Sequence, residues 1–108
     1  MVVWANLAKM RSDLIWSAQR ALRDQTPESL LAYSVDVDIP RHLIQLRAHF
    51  AAPPSEDDLD DLNSIEGEIF GDYVDDAFIE TEIEIVAPGR EIQPLGGGLA
   101  YGKETSPR

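Results

Sequence analysis

The chain has 108 residues, enough for one domain with a single core. Hydrophobic residues make up 44% and charged residues 27%, but 20 acids against nine bases leave a formal net charge of -11. Such a surface repels nucleic-acid phosphates and anionic membranes, so neither is expected as a partner, and it favours a basic one.

No cysteine is present, which excludes a disulfide scaffold, a cysteine-ligated zinc and a thiol nucleophile. The opening MVVWANLAKM carries its charge late and is followed by Arg11 and Asp13, not by a long apolar core and a cleavage site. A cytosolic location is therefore expected. The longest uncharged run, Ile92 to Gly102, is glycine-rich and far below the ~20 apolar residues of a membrane span.

Val3, Leu7, Met10, Leu14, Ala18, Ala21 and Leu22 fall on one helical stripe, which predicts a helix within residues 1–25 that Thr26 and Pro27 end. Residues 30–50 read as a hairpin. Leu31, Tyr33, Val35 and Val37 alternate with polar positions, and after a turn at Asp38–Arg41 so do Ile44, Leu46, Ala48 and Phe50. Ser55 and Asp58 fit a capping box that opens a second helix within residues 55–75. Its stripe is Leu59, Leu62, Ile65, Ile69 and Tyr73; Gly67 and Gly71 fall on the far face. A third strand within residues 77–87 turns Ile79, Thr81, Ile83 and Ile85 inward and Glu80, Glu82 and Glu84 outward. Residues 88–108 form a glycine-rich tail that could add a strand around Leu99 to Lys103.

The order α-β-β-α-β predicts a single α+β domain over residues 1–108, with two helices packed on one face of a small antiparallel sheet. The crossover through the second helix sets the third strand parallel to the second. A right-handed, split connection places it beside the first, in the order 2-1-3.

The sequence offers little for catalysis. His42 and His49 are seven apart, so alternation puts them on opposite faces and a shared metal is not expected. No serine sits in a nucleophile elbow and no phosphate loop is present. Asp57, Asp58, Asp60 and Asp61 lack the spacing of a calcium loop. A non-enzymatic protein without metal or cofactor is expected.

Charge placement says more. From Ala48 to Gly89 there is no Lys or Arg, and 13 acids fall there. Glu80, Glu82 and Glu84 repel one another along one strand face. Asp72, Asp75 and Asp76 sit at the end of the second helix, where the dipole disfavours acids. These six, with Asp36 beside them if the first strand is the neighbour, form the expected partner-binding patch. Trp16 points away from its helix's apolar stripe and is either an interface anchor or a residue that Leu95 or Leu99 of the tail covers. Glu66 and Arg11 intrude into the apolar stripes of the two helices. They are expected to be buried and to pair with each other, unless each reaches water at a helix margin.

Four segments carry a family resemblance: Ser17-Ala18-Gln19-Arg20-Ala21-Leu22; Phe50 followed by Pro54-Ser55-Glu56; Ile65 to Tyr73, IEGEIFGDY; and Pro94-Leu95 before Tyr101 and Glu104. In that order and spacing, from about Leu14 to Glu104, the chain resembles small acidic bacterial immunity proteins of contact-dependent growth inhibition and related polymorphic toxin systems. The resemblance implies a cytosolic, non-catalytic protein that binds one cognate toxin domain and blocks its active site or substrate surface. Many such toxins are nucleases with basic clefts, which suits an acidic inhibitor. Gly96-Gly97-Gly98-Leu99-Ala100 stands where bulkier aromatic residues are expected. The rival reading is an acidic nucleic-acid mimic or adaptor that binds a basic host protein handling DNA or RNA.

Overall fold

The computed structural model describes residues 4, 6–23, 25–73 and 77–102. The first helix, α1 (Leu7–Leu22), begins at Asn6, whose side chain accepts a hydrogen bond from the Lys9 N–H. That bond satisfies one of the amides the first turn leaves unpaired. Strands β1 (Leu30–Asp38) and β2 (Leu43–Phe50) form the expected antiparallel hairpin. Helix α2 (Glu56–Gly71) opens with the capping box in both directions: Ser55 Oγ accepts from the Asp58 N–H at 3.1 Å, and Asp58 accepts from the Ser55 N–H at 3.1 Å. Ser29 Oγ also donates to Asp58, which ties the hairpin's start to the helix. Strands β3 (Phe78–Ile85) and β4 (Gly98–Gly102) complete the chain.

One apolar cluster joins the inward stripes of both helices to the inward positions of the strands. Met10, Leu14, Ala18, Ala21 and Leu22 of α1 and Leu62, Ile65 and Ile69 of α2 cover Tyr33, Val35, Ile44, Leu46, Ala48 and Phe50. Burying each of the larger side chains contributes roughly 1.5–3 kcal/mol. Both helices therefore lie on one face of the sheet, as the two stripes predict. A register shift between Leu30 and Ala32 makes Leu30, not Leu31, the buried residue at the start of β1.

The sheet differs from expectation in its order and in being mixed instead of wholly antiparallel, while β3 runs parallel to β2 as the crossover predicts. It has four strands in the order β3-β2-β1-β4, and β2–β3 is a parallel pair within otherwise antiparallel neighbours. The order 2-1-3 does not occur, because the tail occupies the edge of β1 that the third strand was expected to take. Gly97 is the reason the tail can come so close: a Cβ there would lie 2.4 Å from the Val35 carbonyl oxygen. Gly98 follows in a left-handed conformation, φ +118°, which favours glycine. With that edge filled, β3 pairs with the far side of β2, and Phe78 lies opposite Leu43.

The two helices are joined at their ends by polar contacts. Ser17 Oγ and the Arg20 guanidinium both donate to Asp72, the residue that caps α2 at its C-terminus. Gln25 donates to Glu68 one turn earlier. Gly67 faces open space, with nothing within 4 Å of where a Cβ would stand. Gly67→Ala should therefore stabilise the protein by about 0.5–1 kcal/mol through helix propensity, read as a higher urea midpoint. A lower midpoint would show that the glycine has a folding role its surroundings do not reveal. Among the described residues no helix is long and apolar enough to cross a membrane.

Candidate binding face

Thr81 Oγ1 donates to Glu66 of α2, so the odd-numbered positions of β3 face the helices and the even-numbered ones face the open side of the sheet. The open side therefore carries Phe78, Glu80, Glu82 and Glu84. Only β3 supplies this acidic row. Glu80 is exposed opposite Gln45. Glu82 lies opposite Arg47, whose Nε and Nη2 donate to its Oε1 at 3.1 and 2.7 Å. Glu84 lies opposite His49, with His49 Nδ1 2.5 Å from its Oε1. Two of the three glutamates thus have partners within the fold, and the row is less repulsive than it looks in the sequence.

A polar relay runs inward from Glu84. His49 Nε2 is 2.8 Å from Ser34 Oγ, and both residues are fully buried. The Leu95 N–H donates to Ser34 Oγ at 3.0 Å, and the Gln93 N–H donates to Glu84 at 3.0 Å. Arg47 Nη1 donates to the Gln93 carbonyl at 2.7 Å. Residues 93–95 are thereby strapped across the open face on their way from β3 to β4. Since Leu95 already donates into the serine oxygen, the hydroxyl proton is available to Nε2, and Nδ1–H then points to Glu84.

The order Ser34–His49–Glu84 is that of a hydrolase triad. Here, however, the serine oxygen has no exposed surface and accepts a main-chain N–H from the strap, so the arrangement fastens the tail. Burial tends to raise the Glu84 pKa. The Gln93 N–H, the His49 ring and the Arg47 charge outweigh it and hold the carboxyl below its ordinary value. Asp58 is likewise lowered, chiefly by the Ser55 N–H.

The remaining candidate residues are dispersed. Asp72 lies in the helix layer, bound to Ser17 and Arg20, which meets its charge at the helix C-terminus. Asp36 is separated from β3 by β2 and pairs with Arg11 Nε at 2.9 Å, where the tail passes at Gly96 and Gly97. Among the described residues, Asp36 does not join Glu80, Glu82 and Glu84, because β2, and not β1, is the neighbour of β3. Asp75 and Asp76 lie outside the described residues. The Arg11–Glu66 pair does not form, and neither residue is buried as expected: Arg11, half-buried, turns to Asp36, and Glu66, half-buried, accepts from Thr81. Trp16 is 66% exposed, so the tail does not cover it; Leu99 is committed to β4 on the sheet edge.

Sequence reasoning missed two features of this face. One is the strap, which joins residues far apart in sequence and follows no periodicity. The other is the apolar exposure along β3, where Phe78 is 71%, Ile83 43% and Ile85 47% exposed. The isoleucines of β3 do turn toward the helix side, but α2 sits close to α1 and covers β3 only lightly. Among the described residues no group of three His, Cys, Asp or Glu side chains is placed to hold a metal ion. His42 stacks on Trp4 with ring centroids 4.4 Å apart, away from the buried His49.

No curated protein matches the chain. The family model for the MafI2 immunity protein matches residues 11–101, from the second turn of α1 into β4. With most of its length matched, including the strap, the chain belongs to the MafI2 immunity protein family.

Proposed function

We propose that this protein neutralises a cognate toxin domain, in the cytosol of the cell that makes the toxin, by tight binding without catalysis. The acidic open face at β3 meets a basic surface of the toxin, and the substrate cleft of a nuclease fits that description best. The observation that carries this reading is the row Glu80, Glu82 and Glu84 on one side of an outer strand, within a stretch of chain that has no Lys or Arg. A net charge of -11 adds a long-range field that speeds capture of a basic partner. Salt screens that field over about 8–10 Å.

The test is a binding titration with the toxin domain encoded beside this chain's gene, at two salt concentrations. Glu80→Lys reverses a charge that has no role in the strap. It should slow association about tenfold at low salt, with a smaller effect at high salt. The folded chain should keep its thermal midpoint. Association as fast as that of the parent at both salt concentrations would place the interface elsewhere, with exposed Trp16 the next candidate.

A further inference from the structure

Among the described residues the outer edge of β3 is unpaired. Phe78 N–H donates to the His42 carbonyl at 2.8 Å and Val86 N–H to the Phe50 carbonyl at 2.8 Å, so the even-numbered residues direct their main-chain groups at β2. In a parallel ladder the intervening residues direct theirs the other way. Ile79, Thr81, Ile83 and Ile85 therefore present N–H and C=O groups outward, and among the described residues no strand pairs with them. A free edge of eight residues with exposed Phe78, Ile83 and Ile85 is a template for another strand.

We propose that the toxin docks by adding a β-strand to this edge, one that alternates basic and apolar residues. The proposal rests on the acidic-face reading above and adds its geometry. A strand laid beside β3 has side chains on both faces of the sheet. On the open face they meet Glu80, Glu82 and Glu84, which calls for Lys or Arg. On the helix face they extend the apolar surface of Ile83 and Ile85, which calls for Val, Ile or Leu. The same charges disfavour a second copy of this chain. An antiparallel two-fold pairing that keeps both helix layers on one side sets Glu82 against Glu82 and Glu80 against Glu84, like charges directly opposed.

Amide hydrogen exchange on the complex with the neighbouring toxin domain tests the geometry without any substitution. The amides of Ile79, Thr81, Ile83 and Ile85 should exchange quickly in the free chain and at least tenfold more slowly in the complex. Equal exchange in the two states overturns strand addition. Protection that rises with the concentration of this chain alone makes a second copy the occupant and overturns it as well.

Ile83→Pro provides the binding arm. It removes one outward N–H and leaves the ladder to β2 untouched, a position at which edge strands accept proline. Ile83→Ala keeps the N–H and loses the side chain. The proline variant should bind at least 30-fold more weakly, mainly through faster dissociation, and the alanine variant only a few-fold more weakly. If the proline variant binds like the parent while Glu80→Lys does not, strand addition fails and the acidic face stands. If both bind like the parent, the acidic face fails too. Should Ile83→Pro not fold, the exchange measurement decides alone.

Discussion

Gly97→Ala should destabilise the protein by about 3 kcal/mol, the upper end of what an added methyl costs in a packed site. A Cβ at this position would stand 2.4 Å from the Val35 carbonyl oxygen and 2.9 Å from the Asp36 Cα. Both are main-chain atoms of β1, itself held by β2, so no side chain can swing away to make room. The tail must lift instead, which loosens the β1–β4 pairing and the Arg11–Asp36 ion pair beneath Gly96. The measurement is a urea midpoint together with amide exchange at Leu99 and Tyr101, where protection should fall first. A variant with the parent's midpoint would mean that the close approach at Gly97 relaxes at little cost.

His49→Ala is the second large effect, expected at about 3 kcal/mol. It opens a cavity on a fully buried site and leaves the Ser34 hydroxyl without its imidazole partner. Glu84 is then held only by the Gln93 N–H and by its neighbour Arg47, and the strap should detach more readily. The relay also predicts a pH response. Glu84 and Asp58 have folded-state pKa values below their ordinary ones, 4.5 and 3.8. Their contribution to stability is therefore fully present above those ordinary values and is lost as pH falls through the folded ones. Denaturation followed from pH 7 down to pH 3 should show that loss. Glu84→Gln should be weaker at neutral pH and lose less on acidification, with Asp58 accounting for what remains. An acid response identical to the parent's would remove Glu84 from this role.

Much of the fold was legible because its elements obey simple periods. The stripes of α1 and α2 and the alternation in β1 and β2 come from apolar residues meeting one core, and the Ser55–Asp58 box is local chemistry. The sheet order was not legible, since it depends on a three-glycine segment whose importance lies in the side chains it lacks. The charged residues were read least well. Arg11 and Glu66 stand in apolar stripes, but helix position alone does not tell that their partners are Asp36 and Thr81. At the candidate face the glutamate row was visible in the alternation of β3. Its anchoring by Arg47 and His49 was not, because a strand's neighbour is set by topology. The open edge escaped for the same reason.

The pairing of β1 with β4 joins Ala32 to Gly102, whereas β1 and β2 meet across a short turn. Closing so long a loop is entropically costly and brings contacts only once both ends are in place. The hairpin with its helices can thus assemble from nearby contacts, and the β4 edge closes late on the folding route. Interactions made late act on the unfolding rate more than on the folding rate. Substitutions in the strap and in β4 should accordingly raise the unfolding arm of a chevron plot while leaving refolding nearly unchanged, so the glycine tail governs how long a folded molecule lasts and not how quickly it forms.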